Sequence, residues 1–207
     1  MTPINIYIFY INKNVQHISE DWWGEDEDIV ESYILAGHKR FWDEIERHVN
    51  REIKLSGYTT IRNVINSDYP WRQSITSLLG FCDEVVVVDG GSEDGTLERL
   101  RAWSDKDPRV NIYLVSRDWS DSRFAVFDGA QKAEARSRCT SDFLWQMDAD
   151  EVVHEDDYGK ILSLCKHFPK ELDLMCLPVI EYWGSAEKVR ADINPWKWRL
   201  SRNDTHI

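Results

Sequence analysis

Phe143-Leu144-Trp145-Gln146-Met147-Asp148-Ala149-Asp150-Glu151 is an apolar run that ends in two carboxylates one residue apart, with a third directly behind them. Well upstream, Val85-Val86-Val87-Val88 also runs into a carboxylate, Asp89, and then into the turn Gly90-Gly91-Ser92-Glu93-Asp94-Gly95-Thr96. Short apolar runs closed by turn residues fit strands buried on both faces. Two such strands that deliver acids at their carboxyl ends describe the crevice where open α/β sheets bind ligands. An Asp-x-Asp at that edge suits a hard divalent cation, which takes oxygen ligands and bridges carboxylates to phosphates. The stretch therefore predicts an enzyme acting on a phosphorylated, nucleotide-linked substrate.

Working outward, strands and helices alternate. A strand over Leu55–Ile61 leads through Asp68-Tyr69-Pro70 to a helix over residues 71–79. The valine strand is followed by a helix over 95–103, a strand over 110–115 and a long helix over 124–139. After the acidic triplet come a helix over 158–167 and a strand over 172–180. That alternation means βαβ units and a mainly parallel sheet flanked by helices. Residues 1–52 read as a separate strand-plus-helix appendage. Residues 3–12 form its strand, and Ile34, Phe41, Trp42, Ile45 and Val49 make one apolar stripe on a helix over 28–52. Residues 53–207 form the main domain.

Composition narrows the class. A hydrophobic share of 42% in 207 residues is ample for a packed core. The formal net charge of −12 argues against nucleic acid and against anionic membrane surfaces, both of which recruit Lys and Arg. The acidic run over residues 20–31 reads as a solvated turn. A phosphate-bearing ligand remains compatible with this charge when a metal ion supplies local positive charge. Ten Trp are many, and Trp is a platform for sugar and base rings as well as a packing residue. Cys82, Cys139, Cys165 and Cys176 show no metal-ligand spacing and read as reduced core thiols of a cytoplasmic protein. The apolar run over 4–11 is too short to span a bilayer, so no transmembrane segment is expected.

The glycine turn after Asp89 lacks the Gly-Lys-Ser/Thr of a P-loop and does not match G-x-G-x-x-G. Ser92 and Asp94 are expected to cap the next helix. Asp148 and Asp150 repel one another when ionised, and a cation between them would relieve this. Glu151 either turns outward or supports the ligands from behind, and His154 reads as a surface or capping residue ahead of the next helix in preference to a third metal ligand.

Four motifs in order now carry a resemblance. They are Thr60-Ile61-Arg62-Asn63, the valine strand into Asp-Gly-Gly-Ser-x-Asp-Gly-Thr, Gln131-Lys132, and Asp148-Ala149-Asp150-Glu151. Together they resemble family 2 glycosyltransferases of the GT-A fold, over residues 53–203, and in particular the bacterial branch that includes lipopolysaccharide-core glucosyltransferases. The resemblance implies a metal-dependent, inverting transfer of a sugar from a nucleotide-diphosphate donor to a glycan or other hydroxyl acceptor. It places Thr60 at the nucleobase, with Arg62 on the same donor side. Asp89 falls at the base or ribose, and Lys132 faces the donor. Asp148 lies near ribose and metal, while Asp150 ligates Mn²⁺ or Mg²⁺ on the diphosphate. Arg199, within Trp198-Arg199-Leu200-Ser201-Arg202, is expected to reach the site.

An inverting transfer also needs a carboxylate to accept the acceptor proton. Glu181, Glu187 and Asp192 are alternative candidates for that base. The family continues beyond the Arg-Leu strand with a His- and acid-containing segment, whereas this sequence stops at Ile207. The expectation is a C-terminally truncated domain whose acceptor site is minimal, or is completed by a partner chain or an absent segment. Two rival readings stand beside the main one. A nucleotidyltransferase would show a Gly-rich, Arg/Lys-containing loop where Asn63-Val64-Ile65-Asn66-Ser67-Asp68 stands. A nucleotide-sugar-binding module would bind donor without turnover.

Overall fold

Val85 to Val88 are fully buried, because no face of this strand meets water. Full burial of one such side chain is worth about 1.5–3 kcal/mol, so the strand anchors the sheet from its interior. The computed structural model describes residues 6–10, 53–119, 124–185 and 187–204. The helix expected over residues 28–52 lies outside them.

The strands are β1 (Ile6–Tyr10), β2 (Leu55–Ile61), β3 (Glu84–Asp89), β4 (Val110–Leu114), β5 (Phe143–Gln146), β6 (Glu151–Val153), β7 (Leu174–Trp183) and β8 (Trp196–Arg202). They form an eight-stranded sheet in the order β4-β3-β2-β5-β8-β7-β1-β6. β6 and β8 run against the others, so the sheet is mixed but mostly parallel. β1 joins the same sheet, parallel to β7 and antiparallel to β6. The three-residue β6 has no counterpart in the sequence reading, and β7 starts later and runs on to Trp183.

The helices are α1 (Trp71–Leu79), α2 (Thr96–Ser104), α3 (Phe124–Ser137) and α4 (Tyr158–Lys166). Residues of α1, α2 and α4 share one core: Trp71, Ile75, Leu78, Leu100, Ile161 and Cys165 pack there with Val85, Val87 and Trp145. On the other face Ala135 of α3 and Cys139 beyond it pack on Tyr58, Val86, Val88 and Leu144. Alternate valines of β3 thus serve opposite cores, as strand geometry requires. Gly57 lets β2 approach α1 closely, since a Cβ there would lie 2.9 Å from a Leu78 methyl.

From β2 the chain moves through β3 to β4 on one side, then crosses back through α3 to β5 on the other side of β2. β2 and β5 are neighbours, with Tyr58 opposite Gln146. They form the point where strand order reverses, and α/β sheets bind ligands outside the carboxyl ends of strands at such points.

Candidate active site

The carboxyl ends of β2 and β5 open into a cavity of about 260 Å³. Thr60, Arg62, Lys132, Asp148 and Asp150, all expected at the donor or the metal, line it together, whereas Asp89 does not. Val64, Tyr69, Asp128, Ala149, Glu151, Glu181 and Lys197 complete the wall.

Asp148 is held from both its main chain and its side chain. Its amide donates to Glu151 Oε2 at 2.9 Å, and Gln146 Nε2 donates to its Oδ1 at 3.0 Å. Arg199 closes the loop, donating to Gln146 Oε1 at 2.6 Å and to Glu151 Oε1. Both members of the Arg199–Glu151 pair are buried. Arg199 therefore stands behind the carboxylates and is not part of the cavity wall. Glu151 supports Asp148 from the buried side.

Lys132 projects from α3, where Gln131 is buried and donates to the Val115 carbonyl at 2.7 Å. That anchor turns the next residue toward the cavity. Lys132 Nζ lies 2.8 Å from Asp148 Oδ1 and 3.1 Å from Asp128 Oδ2. Burial works against the Asp148 charge, but Lys132 outweighs it, with help from Arg199 and Gln146, and the carboxyl ends below its ordinary value. Asp150 goes the other way. Burial first, then the Asp148 charge, push its carboxyl up to about 6. The two carboxylates thus differ in their need for a cation: Asp148 already has one beside it, and Asp150 gains most from another. Tyr69 feels the same field, raised by burial and by the charges of Asp150 and Asp148.

The donor set fits a hard divalent ion. Of the five acids that line the cavity, Asp148 and Asp150 stand just beyond β5, and among the described residues no group of three His, Cys, Asp or Glu is placed to hold a metal ion by itself. Mg²⁺ is commonly held by one or two carboxylates together with substrate phosphates and water.

Asp89 is fully buried beneath the glycine turn. Its Oδ1 accepts from the amides of Gly91 and Ser92 at 2.9 and 2.8 Å, while its Oδ2 is buried with no partner. Trp119 covers this turn, donating from Nε1 to the Gly90 carbonyl at 2.7 Å, and the Arg62 guanidinium sits 5.2 Å from its ring centre. A Cβ at position 90 would lie 2.7 Å from that indole, which explains the glycine. Of the two expected caps, Asp94 accepts from the Thr96 amide at 3.0 Å. Ser92 instead accepts from the Asn63 amide at 2.9 Å and ties the two loops together. His154 accepts from the Asp156 amide, as a capping residue does.

The three candidate bases separate. Glu181, 6% exposed, lines the cavity with Asp148 and Asp150 and is paired with Arg190 at 3.1 Å. Asp192 pairs with the other side of Arg190 and borders a distinct depression with Trp183. Glu187 is exposed and lines neither. Trp196 and Trp198 are exposed on β8, facing the same way as Pro178 and Cys176 opposite them, whereas Lys197 on the opposite parity reaches the cavity.

The sequence reading missed Tyr69, Asp128, Gln146 and Lys197. Asp128 had a signal, since it precedes Lys132 by four residues on a helix, a spacing at which charges meet. Tyr69 and Lys197 had none that local pattern supplies.

The family model described as Glycosyl transferase family 2 matches residues 71–203, more than half of the sequence. The chain belongs to that family, and its mostly parallel sheet with helices on both faces is the GT-A arrangement expected of it. Comparison with curated proteins finds no match. Among solved structures, S. aureus TarS 1–349 superposes with a TM-score of 0.47 at 16% identity, over 73% of this chain and 47% of that one. Mannosyl-3-phosphoglycerate synthase from Rubrobacter xylanophilus gives 0.33 at 23% identity, over 47% of this chain and 31% of that one. The mannosyltransferase PcManGT from Pyrobaculum calidifontis, in complex with GDP-Man and Mn²⁺, gives 0.38 at 15% identity, over 70% and 44%. The chain spans less than half the length of each of these structures. No helix among the described residues is long and apolar enough to cross a membrane.

Proposed function

We propose that this domain transfers a sugar, with inversion, from a nucleotide-diphosphate donor to a hydroxyl acceptor, and that a divalent cation held by Asp148 and Asp150 assists. The observation that carries this reading is the convergence of Thr60, Arg62, Lys132, Asp148 and Asp150 on one cavity at the strand-order reversal of a family 2 chain. The order and spacing of its four motifs support a reading within the branch of the lipopolysaccharide-core glucosyltransferases. Its four free thiols suit the cytoplasm.

When bound, the cation supplies charge stabilisation to the diphosphate leaving group. Arg62, Lys132 and Lys197 bring further positive charge to the same cavity. Asp89 is buried and lies outside the cavity wall, so its unpartnered Oδ2 would meet an N–H of the base or a hydroxyl of the ribose only once the donor displaces the turn and Trp119 above it. Glu181, paired with Arg190 at 3.1 Å, takes the acceptor proton. Thermal-shift and nucleoside-diphosphate release assays on a panel of UDP- and GDP-sugars with Mn²⁺ test the reading. Donor-specific stabilisation with turnover supports it, stabilisation without turnover leaves a binding module, and neither response rejects it.

Two substitutions probe the roles. Glu181→Gln is expected to lower transfer about a hundredfold while leaving donor affinity unchanged, because it removes a proton acceptor while Asp192 still pairs with Arg190. A matching loss in Glu187→Gln, with Glu181→Gln active, would move the base to Glu187. Asp89→Asn is expected to weaken UDP or GDP binding equally with and without Mn²⁺, read by calorimetry. A loss confined to the Mn²⁺-dependent part would shift Asp89 to a metal-linked role.

A further inference from the structure

In the described structure one of the two proposed metal ligands already holds a cation. Lys132 Nζ sits 2.8 Å from Asp148 Oδ1, and Gln146 Nε2 donates to the same oxygen at 3.0 Å. A divalent ion binds carboxylate oxygen at about 2.0–2.6 Å, and an ammonium on that oxygen would face it as a close like charge. The two cannot share Oδ1 at full strength. Asp128, one helical turn before Lys132, lies 3.1 Å from the same ammonium. Lysine is a point charge on a flexible stem. Its ammonium can therefore leave Asp148 and still keep an anionic partner on its own helix. Lys132 also lines the cavity, where a diphosphate would compete for its charge.

We propose that Lys132 is the resident counter-cation of Asp148 and acts as a gate on metal entry. Metal alone binds weakly because it must displace Lys132. A nucleoside diphosphate draws the ammonium away from Asp148 and opens that carboxylate to the ion. Nucleotide and metal therefore help each other beyond the contact they make directly, and the coupling is the same read from either ligand. The inference rests on the metal-assisted reading above and adds the residue that sets the order of binding.

The test is Mn²⁺ binding without nucleotide, followed by the electron paramagnetic resonance of the free ion, in the wild type, Lys132→Met, Lys132→Arg and Lys197→Met. Each is then repeated with UDP and with GDP. Lys197 lines the same cavity but forms no ion pair with Asp148 among the described residues, so it controls for charge alone. Lys132→Met is expected to bind Mn²⁺ alone about tenfold more tightly, the worth of one pKa unit of interaction. Lys132→Arg should stay close to wild type, and Lys197→Met should change less than about threefold on the same scale. The cooperativity between Mn²⁺ and nucleotide should shrink in Lys132→Met alone. Equal tightening in Lys132→Met and Lys197→Met, or none in Lys132→Met, overturns the gate while leaving metal use intact. Absence of Mn²⁺ binding in every protein, with nucleotide present, overturns the metal reading and the gate with it.

Discussion

Arg199→Met is expected to lower folding stability by about 3–5 kcal/mol, the cost of stranding one charge of a buried pair. Arg199 is 3% exposed and Glu151 1%, so water cannot take over the lost guanidinium. Glu151 would be left ionised in a buried site, or forced to take up a proton. The Gln146 carbonyl would also lose its donor at 2.6 Å. Denaturant unfolding measures the loss directly. The double variant Glu151→Gln, Arg199→Met should recover much of it, because Gln keeps an oxygen for the Asp148 amide without a buried charge. If Arg199→Met unfolds within about 1 kcal/mol of wild type, in the range of an exposed pair, the ring around Asp148 is not what holds it.

This ring also shows what the sequence could and could not disclose. An apolar run ending in Asp148-Ala149-Asp150 gave away a buried strand and its acidic edge, because periodicity and burial are local facts. The valine strand with its glycine turn gave away β3 and the loop over Asp89 for the same reason. The position of Arg199 was not local. β8 pairs with β7 through an irregularity between Met175 and Cys176, so Leu200 faces Met175 while Trp198 faces Cys176. Arg199 falls in that break and turns inward to Glu151, whereas Lys197 on the regular part of the strand reaches the cavity. No count along the sequence locates a bulge between distant strands. β6 was hidden likewise, since its three residues become a strand only by pairing with Ile6, Tyr7 and Ile8. Glu181 could be separated from Glu187 and Asp192 only once β7 was seen to continue to Trp183, which puts Glu181 on the same face as the buried Leu177 and Val179.

Asp150→Asn is expected to abolish the effect of Mn²⁺ on nucleotide binding and to slow transfer about a thousandfold. The rate estimate follows from losing about 4 kcal/mol of charge stabilisation on the leaving group, at about 1.4 kcal/mol per tenfold. The same substitution should stabilise the metal-free protein. Burial and then the Asp148 charge raise the Asp150 carboxyl from 3.8 to about 6. Across that interval the folded state holds a proton that the unfolded state has released, so stability falls as pH rises. The penalty is absent below about pH 4 and complete above about pH 6, by the same linkage. Asparagine carries no such charge. After allowance for water in the cavity, its advantage should be on the order of 1–2 kcal/mol at pH 7.5 and close to zero at pH 4. Thermal unfolding of both proteins at the two pH values, without metal, reads this difference. Wild type with Mn²⁺ and UDP or GDP should regain the stability, whereas Asp150→Asn should not respond to the ion. A folded Asp150→Asn protein that still shows Mn²⁺-dependent nucleotide binding would remove Asp150 from the metal site. Equal stability of the two proteins at pH 7.5 without metal would mean that the cavity does not oppose its charge. The expected pairing of a more stable fold with a lost function identifies Asp150 as a residue kept for its chemistry at a cost to the resting protein.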